Sequence, residues 1–483
     1  MTDSDRQIEI INKAMLQNLN DRCKQYGRTA QRYYEGNHDI LKYRLFYIDS
    51  DGEVKEDKNR SNIKISHPFF TELTDQQVQY MLSGKDGFVF SDLPDLQELL
   101  DKRFNNNDDF IAELNSCLTS VVIKGSEYMY AYVDENGKVC FEDADSTNIQ
   151  EMRENDTDDF IKYIVRWYVD RIDKDGQPII KIELWDENQT WFYIKEGEKG
   201  VKVDENAKIN PRPHLIKFID ENSYTGQGFG FLPFFRLDNN DKRMSDLRLT
   251  KGLIDDYDLM SCSLSNNLED FTEGLWVVKG YDGDNLDELT HNLKVKKAVG
   301  VDSDGDVEIK TINIPYEARK AKMELDEKNI YRFGMGFNST QIGDGNVTNV
   351  VIKSRYTLLD LKSNKLEIRL KKFLRKLVKV VIDQYNSDNG TAFDLDDVRI
   401  QFTRETISND SDNASIALTD AQRKQTLVDT LVQLSDVLDP ETWIQQICDV
   451  LEINYEDIKD KVDTKSVEDR LDEVPDEDME DVE

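Results

Sequence analysis

Residues 245–268 read SDLRLTKGLIDDYDLMSCSLSNNL, and this stretch sets the frame for everything around it. Leu249, Leu253, Tyr257, Met260, Leu264 and Leu268 recur at helical spacing, so the stretch predicts an amphipathic helix. Ser245 is placed to cap its start, with Asp246 in the first turn where a carboxylate meets the positive end of the helix. Asp255, Asp256 and Asp258 fall off the apolar stripe. Three carboxylates this close invite comparison with two-metal nucleases. Inside an amphipathic helix, the simpler expectation is a solvated face or one that meets a neighbouring subunit.

Toward the C-terminus the pattern changes quickly. Leu275 to Val278 predicts a strand, Asn285 to Asn292 a short helix, and two strands flank Asp304-Gly305. A second helix starts after Pro315 and runs to about Arg332, ended by Gly334 and Gly336. Residues 338–349 form a polar, glycine-containing loop. A long helix is expected over 350–386. It carries Lys353, Arg355, Lys362, Lys365, Arg369, Lys371, Lys372, Arg375, Lys376 and Lys379 against only Asp360 and Glu367. This basic run is either a face balanced by the acidic remainder of the chain, or a contact for nucleic acid or adjoining subunits. A strand near Val398 to Phe402 follows. Two or three helices fill 418–462, with Leu427, Leu431, Leu434 and Val437 as one stripe. From 466 the chain is acidic and expected to be disordered.

Toward the N-terminus, residues 5–35 predict a helix broken at Gly36-Asn37, then a turn at Asp49 to Gly52. Asn62 to Leu82 reads as helix, with Phe69, Phe70, Leu73, Val78, Tyr80 and Met81 as its apolar face. From 118 to 236 strands dominate: Val121-Val122-Ile123, Tyr128 to Val133, Ile161 to Val169, Ile179 to Trp185 and Trp191 to Ile194. Asn136-Gly137 and Asp175-Gly176 are hairpin signals, because type I′ turns need positive φ at both central residues. The region is expected to be antiparallel. The loop Gly226-Gln227-Gly228-Phe229-Gly230 lacks phosphate-binding spacing and a following Lys-Ser/Thr pair, so a flexible connection is expected.

Composition narrows the function. Apolar residues make up only 38% of 483 residues, below the usual share for a soluble chain, which fits an elongated or oligomeric protein. Acidic residues outnumber basic ones 97 to 62, giving a net charge of −35. Such a chain does not coat nucleic acid by bulk electrostatics. No apolar run reaches 18 residues, so no membrane span is expected. The N-terminus lacks the features of a signal peptide. Cys23, Cys117, Cys140, Cys262 and Cys448 are scattered, without a CxxC pair, and read as reduced thiols in a cytoplasmic compartment. His38, His67, His214 and His291 form no metal motif. Asp302 to Asp306 resembles a calcium loop but lacks the glycine and closing glutamate at the required positions, so a hairpin turn is expected. No nucleophile–base signature and no cofactor site can be assembled. The residues alone describe an acidic assembly protein of several parts, and an enzyme is not expected.

The order of elements then matters. Helix, small α/β insertion, helix, glycine-flanked loop and very long helix resemble the core of the portal proteins of tailed double-stranded-DNA bacteriophages, especially long-tailed phages of Gram-positive hosts. The wording that carries the resemblance is Tyr33-Tyr34-Glu35-Gly36-Asn37-His38-Asp39-Ile40-Leu41, Asn62 with Phe69 to Gly84, Gly125-Ser126-Glu127-Tyr128, Arg166-Trp167-Tyr168, and above all Asn239 to Tyr281. Within that last span stand Ser245-Asp246-Leu247, Leu253-Ile254-Asp255-Asp256-Tyr257-Asp258, Asn267-Leu268-Glu269-Asp270-Phe271 and Val278-Lys279-Gly280-Tyr281. The resemblance covers about residues 5–405.

It implies an α+β portal fold assembled as a ring, usually of twelve subunits, at one capsid vertex. The parts would be a wing (1–244), a first stem helix (245–268), a clip (269–314), a second stem helix (315–333), a tunnel loop (334–349), a long kinked helix with wing return (350–410), a helical crown (411–465) and an acidic tail (466–483). The ring would pass double-stranded DNA without sequence preference, dock the large terminase subunit and later a head–tail adaptor, and nucleate procapsids with major capsid and scaffolding proteins. Its places would be the virion vertex and, during assembly, the host cytoplasm. Asn338, Gln341, Asp344, Asn346 and Asn349 would face the channel, with Asp344, Asn346 and Asn349 nearest the duplex. Asp255 and Asp256 would meet Arg319, Lys320 and Lys322 between subunits. Asp282, Asp284, Asp287 and Glu288 would form the clip's partner surface. The competing expectations are a metal-dependent nuclease or hydrolase using the Asp255/Asp256 cluster, and a monomeric acidic adaptor or scaffold.

Overall fold

A computed structural model of the chain describes residues 3–49, 51–58, 60–134, 137–154, 157, 160–218, 224–270, 275–279, 306–310, 316–338, 349–404, 410–434, 440–451, 453 and 455. The chain divides into two compact units, one of residues 1–341 with 356–405 and one of 342–355 with 406–483.

The first unit opens with α1 (Asp3–Asn20) and α2 (Arg22–Tyr34) where one helix was expected. Asp21 makes the break: its side chain accepts from Cys23 N at 2.8 Å and starts a fresh helix. A hairpin of β1 (Phe46–Ile48) and β2 (Val54–Glu56) surrounds the expected Asp49–Gly52 turn. The helix read over 62–82 is shorter. It is α3 (Phe69–Met81), and residues 61–67 run extended. Pro68 at its N-cap explains this, since proline ends a helix from its N-terminal side and pushes the preceding residue out of the α region.

β3 (Val89–Ser91), α4 (Pro94–Leu100) and most of α5 (Asp108–Lys124) stand where no element is expected from the sequence. Val121-Val122-Ile123, expected as a strand, instead close α5. All three are buried, so their β-branched character reports packing on every side rather than a pleat. Gly125 ends α5 at φ 95°, a left-handed conformation that favours glycine.

The strand region is antiparallel throughout, as its two hairpin signals imply. β4 (Ser126–Val133) and β5 (Val139–Ala144) pair as a hairpin. β6 (Ile149–Met152), β7 (Tyr163–Ile172), β8 (Pro178–Trp185) and β9 (Gln189–Glu196) follow in order, with short β10 (Lys202–Val203) and β11 (Arg212–Pro213) both on β9. β12 (Leu215–Phe218) pairs with β13 (Tyr224–Gln227), and β14 (Phe234–Asp238) joins β4. The glycine loop begins within β13, and two of its glycines stand close to neighbours: a Cβ at Gly226 would lie 2.4 Å from Pro213 Cγ, and one at Gly228 would lie 2.3 Å from Asn188 Cα.

The stretch 245–268 becomes a 3-10 turn (Asp246–Leu249), which Ser245 caps through Leu247 N at 3.1 Å, and then α6 (Lys251–Asp270). β15 (Leu275–Lys279) and β16 (Asp306–Lys310) form an antiparallel pair. The short helix read over 285–292 lies outside the described residues. α7 (Tyr316–Gly334) packs on α6. α8 (Asn349–Asn389) is continuous for 41 residues, and β17 (Val398–Ile400) pairs with β3.

Four apolar clusters hold this unit. The largest joins α4, α5, β3 to β5 and β17 to one face of α8, through Leu366, Leu370, Phe373, Leu374, Leu377 and Val378. A second gathers Tyr33, Phe70, Leu73, Ile123, Leu247, Ile254, Ile330 and Tyr331, where α2, α3, α6 and α7 converge. A third seats α1 on the large sheet through Ile11 and Ala14. A fourth lies between the two sheets around Tyr128 and Phe234.

In the second unit, α9 (Asp410–Gln433) and α10 (Pro440–Leu451) pack together, and Trp443 Nε1 donates to Leu431 O at 2.6 Å. Val437 and the acidic tail lie outside the described residues. Among those residues, no helix is long and apolar enough to cross a membrane. All five cysteines are free.

Candidate functional site

The α6–α7 pair and the segments that hold it form the site. Residues 61–67 lie along α6 as an extended strap. Ser61 N donates to Asp270 Oδ1 at 3.0 Å, Ile63 N to Asn266 Oδ1 at 2.6 Å, Ile65 N to Cys262 Sγ at 3.2 Å and His67 N to Asp258 Oδ1 at 2.9 Å. Alternate strap amides thus meet every fourth helix residue. The match is geometric: two extended residues advance about 6.7 Å, and four helical residues about 6.0 Å. Short polar side chains at 258, 262, 266 and 270 absorb the small drift. One polar row on α6 therefore replaces the partner strand that the extended backbone would otherwise need.

At the base of this ladder sits a buried ionic node. Asp258, expected on a solvated or subunit face, is instead 0% exposed. Its carboxylate lies 2.6 Å from His38 Nδ1 and 2.8 Å from His67 Nδ1. Burial pushes the Asp258 carboxyl up, but the hydrogen bonds from His38 and His67 outweigh it and hold it below the usual carboxylate range. His38 Nε2 faces Tyr33 O at 3.1 Å. Each ring nitrogen therefore has an oxygen within hydrogen-bond reach, a carboxylate on one side and a carbonyl on the other. Tyr33 stacks on His38 at 4.5 Å between centroids and donates to Asp255. Lys251 lies over the Tyr33 ring at 4.8 Å and bridges Asp39 and Asp255, each at 2.7 Å. Burial lowers the Lys251 pKa, but these two carboxylates outweigh it and raise it.

The expected stem contacts resolve as follows. Lys322 pairs with Asp256 within the same chain, and also with Asp326. Asp255 is held by Lys251 and Tyr33. Lys320 reaches Glu324 at 4.0 Å, with no other ion pair among the described residues. Arg319 keeps a buried Nη1 without a hydrogen-bond partner among the described residues. So the structure brings Asp256 and Lys322 together inside one chain, and leaves Lys320 and Arg319 away from both aspartates.

Both ends of the loop read over 338–349 are tied to α3. The Gln76 side-chain amide donates to Phe337 O at 2.7 Å and accepts from Phe337 N at 2.9 Å. Phe337 stacks on Tyr356 at 5.1 Å, and Tyr356 meets Tyr80 at 5.5 Å. Tyr80 OH donates to Asp360 Oδ1 at 2.6 Å. Gly334 and Gly336 do more than stop a helix. A Cβ at either would come within 2.6 Å or 2.2 Å of the Leu73 side chain. Asn338 donates to Glu327 Oε1 at 3.0 Å, and Asn349 starts α8. Gln341, Asp344 and Asn346 lie outside the described residues, as do Asp282, Asp284, Asp287 and Glu288 of the clip surface.

His38, His67, Asp258, Gln76 and Leu73 carry this architecture; of these only Asp258 was weighed from the sequence, as a metal carboxylate or part of a solvated or subunit face. One signal was available: Asp258, Cys262, Asn266 and Asp270 form an i, i+4 row of short hydrogen-bonding side chains on a helix. Sparse histidines gave no comparable signal.

The chain matches the family model "Phage portal protein, SPP1 Gp6-like" over residues 14–458. It is 29% identical over 385 residues to the portal protein of Bacillus phage SPP1, covering 79% of this chain and 74% of that one. It is 25% identical over 407 residues to the portal protein of Clostridium phage phiCD119, covering 80% and 84%. Among solved structures, the neck of a native GTA particle computed with C12 symmetry aligns at 12% identity and a TM-score of 0.37, over 79% of this chain and 89% of that one. The neck of an empty GTA particle computed with C6 symmetry aligns at 10% identity and 0.37, over 79% and 90%.

Proposed function

The chain belongs to the SPP1 Gp6-like family of phage portal proteins, and from that premise we propose that about twelve copies close into a ring at the capsid vertex and conduct double-stranded DNA in both directions. The family is a structural component of the head–tail connection, and the vertex of the virion is its place. In the proposal, the large terminase subunit docks during packaging and a head–tail adaptor afterwards. The clip of residues 269–314 supplies the docking end, and procapsids grow from the ring with major capsid and scaffolding proteins.

The observation that carries this reading is the α6–α7 pair. Two packed helices are joined through the β15–β16 pair, and Phe337 and Tyr356, on either side of 338–349, are fixed on α3. α6 has 20 residues and spans about 30 Å, enough to form a channel wall. A net charge of −35 supports sliding, since clustered cations would grip phosphates. The nuclease reading loses its ligands: Asp255 holds Lys251 and Asp256 holds Lys322, where a divalent ion would need both carboxylates. The test is native mass of the purified chain with negative-stain images. The proposal expects rings with a central hole, many times the 56.1 kDa of one chain. A species that stays monomeric at high concentration and in the presence of scaffold would refute it.

A further inference from the structure

The basic run on α8 is not consumed by the fold. Lys362 pairs with Asp246, Arg369 with Asp241 and Lys371 with Glu367. Lys365, Lys372, Arg375, Lys376 and Lys379 are exposed, and none is ion-paired among the described residues. With Leu361 and Ile368 they fall within an arc of about 100° on a 3.6-residue helix. Leu361 is 50% and Ile368 62% exposed. The opposite face, Leu366, Leu370, Phe373, Leu374 and Leu377, is the buried one. The arc runs about 27 Å from 361 to 379, and no acidic residue stands on it over that length.

A complementary acidic rim lies along α5 and the edge strand β5, with Glu113 and Asp143 on the α5 side of that edge and Glu142 on the Tyr130 side. Asp109 and Glu142 are exposed, and Glu113 and Asp143 half-buried, with Tyr132 38% exposed beside them. Glu113 accepts from Asp143 N at 2.8 Å, Ser116 donates to Asp143 at 2.8 Å and Tyr130 to Glu142 at 2.7 Å. None of the four carboxylates is ion-paired among the described residues. Burial, then the adjoining Asp143 and Glu142 charges, push the Glu113 carboxyl up, although the Asp143 amide opposes this. A cation from outside would relieve that crowding.

We propose that the α8 stripe of one copy docks against the Asp109/Glu113/Glu142/Asp143 patch of the next copy. The inference rests on the ring reading above and adds the surfaces that close it. Two unlike patches on each subunit are what a cyclic, head-to-tail contact requires. Interleaved leucine and isoleucine favour a protein partner over a phosphate backbone, which offers nothing to bury them.

The test uses two full-length variants. The first, Lys372→Glu with Lys376→Glu, makes the stripe acidic. The second, Asp109→Lys with Glu142→Lys, makes the patch basic. Circular dichroism checks that each folds. Each variant alone should need at least about tenfold more protein to form rings. An equal mixture of the two should form them like the parent, because alternating copies then present opposite charges at every junction. If both variants assemble alone like the parent, or folded variants fail to co-assemble, the interface is wrong while the ring stands. Rings that persist but lose retention of duplex DNA assign the stripe to nucleic acid and also overturn it. A parent that forms no ring removes the portal reading itself, and the interface with it.

Discussion

Replacing Asp258 by alanine should loosen the strap from α6 while sparing the distant sheet. The carboxylate receives His38 Nδ1 at 2.6 Å, His67 Nδ1 at 2.8 Å and His67 N at 2.9 Å, and is 0% exposed. Removing this buried acceptor leaves three donors desolvated and unpaired, at about 1–3 kcal/mol each. A factor of ten accompanies each ~1.4 kcal/mol. If the loss is taken up by local opening, amide exchange at Ile63, Ile65 and His67 should accelerate by at least about a hundredfold. Ile182, buried within β8, should exchange as before. The parent should also respond to acid. Asp258 titrates below the usual value of 3.8, so its contribution is present above pH 3.8 and is lost as pH falls through the lower, folded value. Exchange at His67, corrected for intrinsic chemistry, should therefore speed up below pH 3.8 in the parent, and Asp258→Asn should lack this acid limb. Unchanged exchange at His67 in Asp258→Ala would refute the reasoning, because the ladder would then be held elsewhere.

Gly336→Ala places a Cβ 2.2 Å from Leu73 Cδ2, and overpacking of this kind costs about 1–3 kcal/mol. Adding Leu73→Ala should recover part of the lost thermal stability, and no recovery would separate the glycine from that contact. His214 has both ring nitrogens buried without a partner among the described residues, and burial lowers its pKa from 6.5 to about 4. The unfolded chain binds the proton first, so stability should fall as pH drops from 6.5 toward 4. His214→Phe should flatten that limb in denaturant titrations, and an unaltered limb would place its origin in another group. In the channel proposal, Asp344→Lys should slow packaging, and normal packaged-DNA yield would remove the loop's charge from the account.

What the sequence conveyed depended on how local the cause was. The Asp-Gly and Asn-Gly turns, the α8 period and the helix after Pro315 follow from neighbours within a few residues, and they stand where expected. Val121 to Ile123 misled because β-branched residues also suit a helix packed on all sides, and burial is a long-range fact. The 62–68 stretch misled because its apolar residues were counted without the veto of Pro68. The node was harder still. His38, His67 and Asp258 are separated by up to 220 residues, so only the fold brings them together. The family resemblance was legible because it rests on the order of elements, which survives when individual contacts do not.

The α6–α7 pair itself explains the need for a strap. α6 buries only Ile254, Asp258 and Cys262, and α7 only Asp326, Ile330, Tyr331 and Gly334. Leu249, Leu268, Tyr316, Leu325 and Phe333 remain 47–54% exposed. A helix pair with so little apolar burial does not secure its own position, since fully burying one large side chain contributes only about 1.5–3 kcal/mol. The backbone ladder and the Asp258 node fix α6 without drawing on those apolar residues. In the ring proposal they stay available for closure, as half-exposed leucine and aromatic side chains that a neighbouring copy would cover. This division also fits the low apolar share of the chain. Within one copy the pair is positioned by hydrogen bonds, buried charge and the small cluster around Ile254, Ile330 and Tyr331, and in the ring proposal the exposed apolar surface is left for contacts between copies. It follows that changes along the 258/262/266/270 row should disturb the single chain first. Changes at Leu325 or Phe333 should leave the single chain folded and weaken the ring.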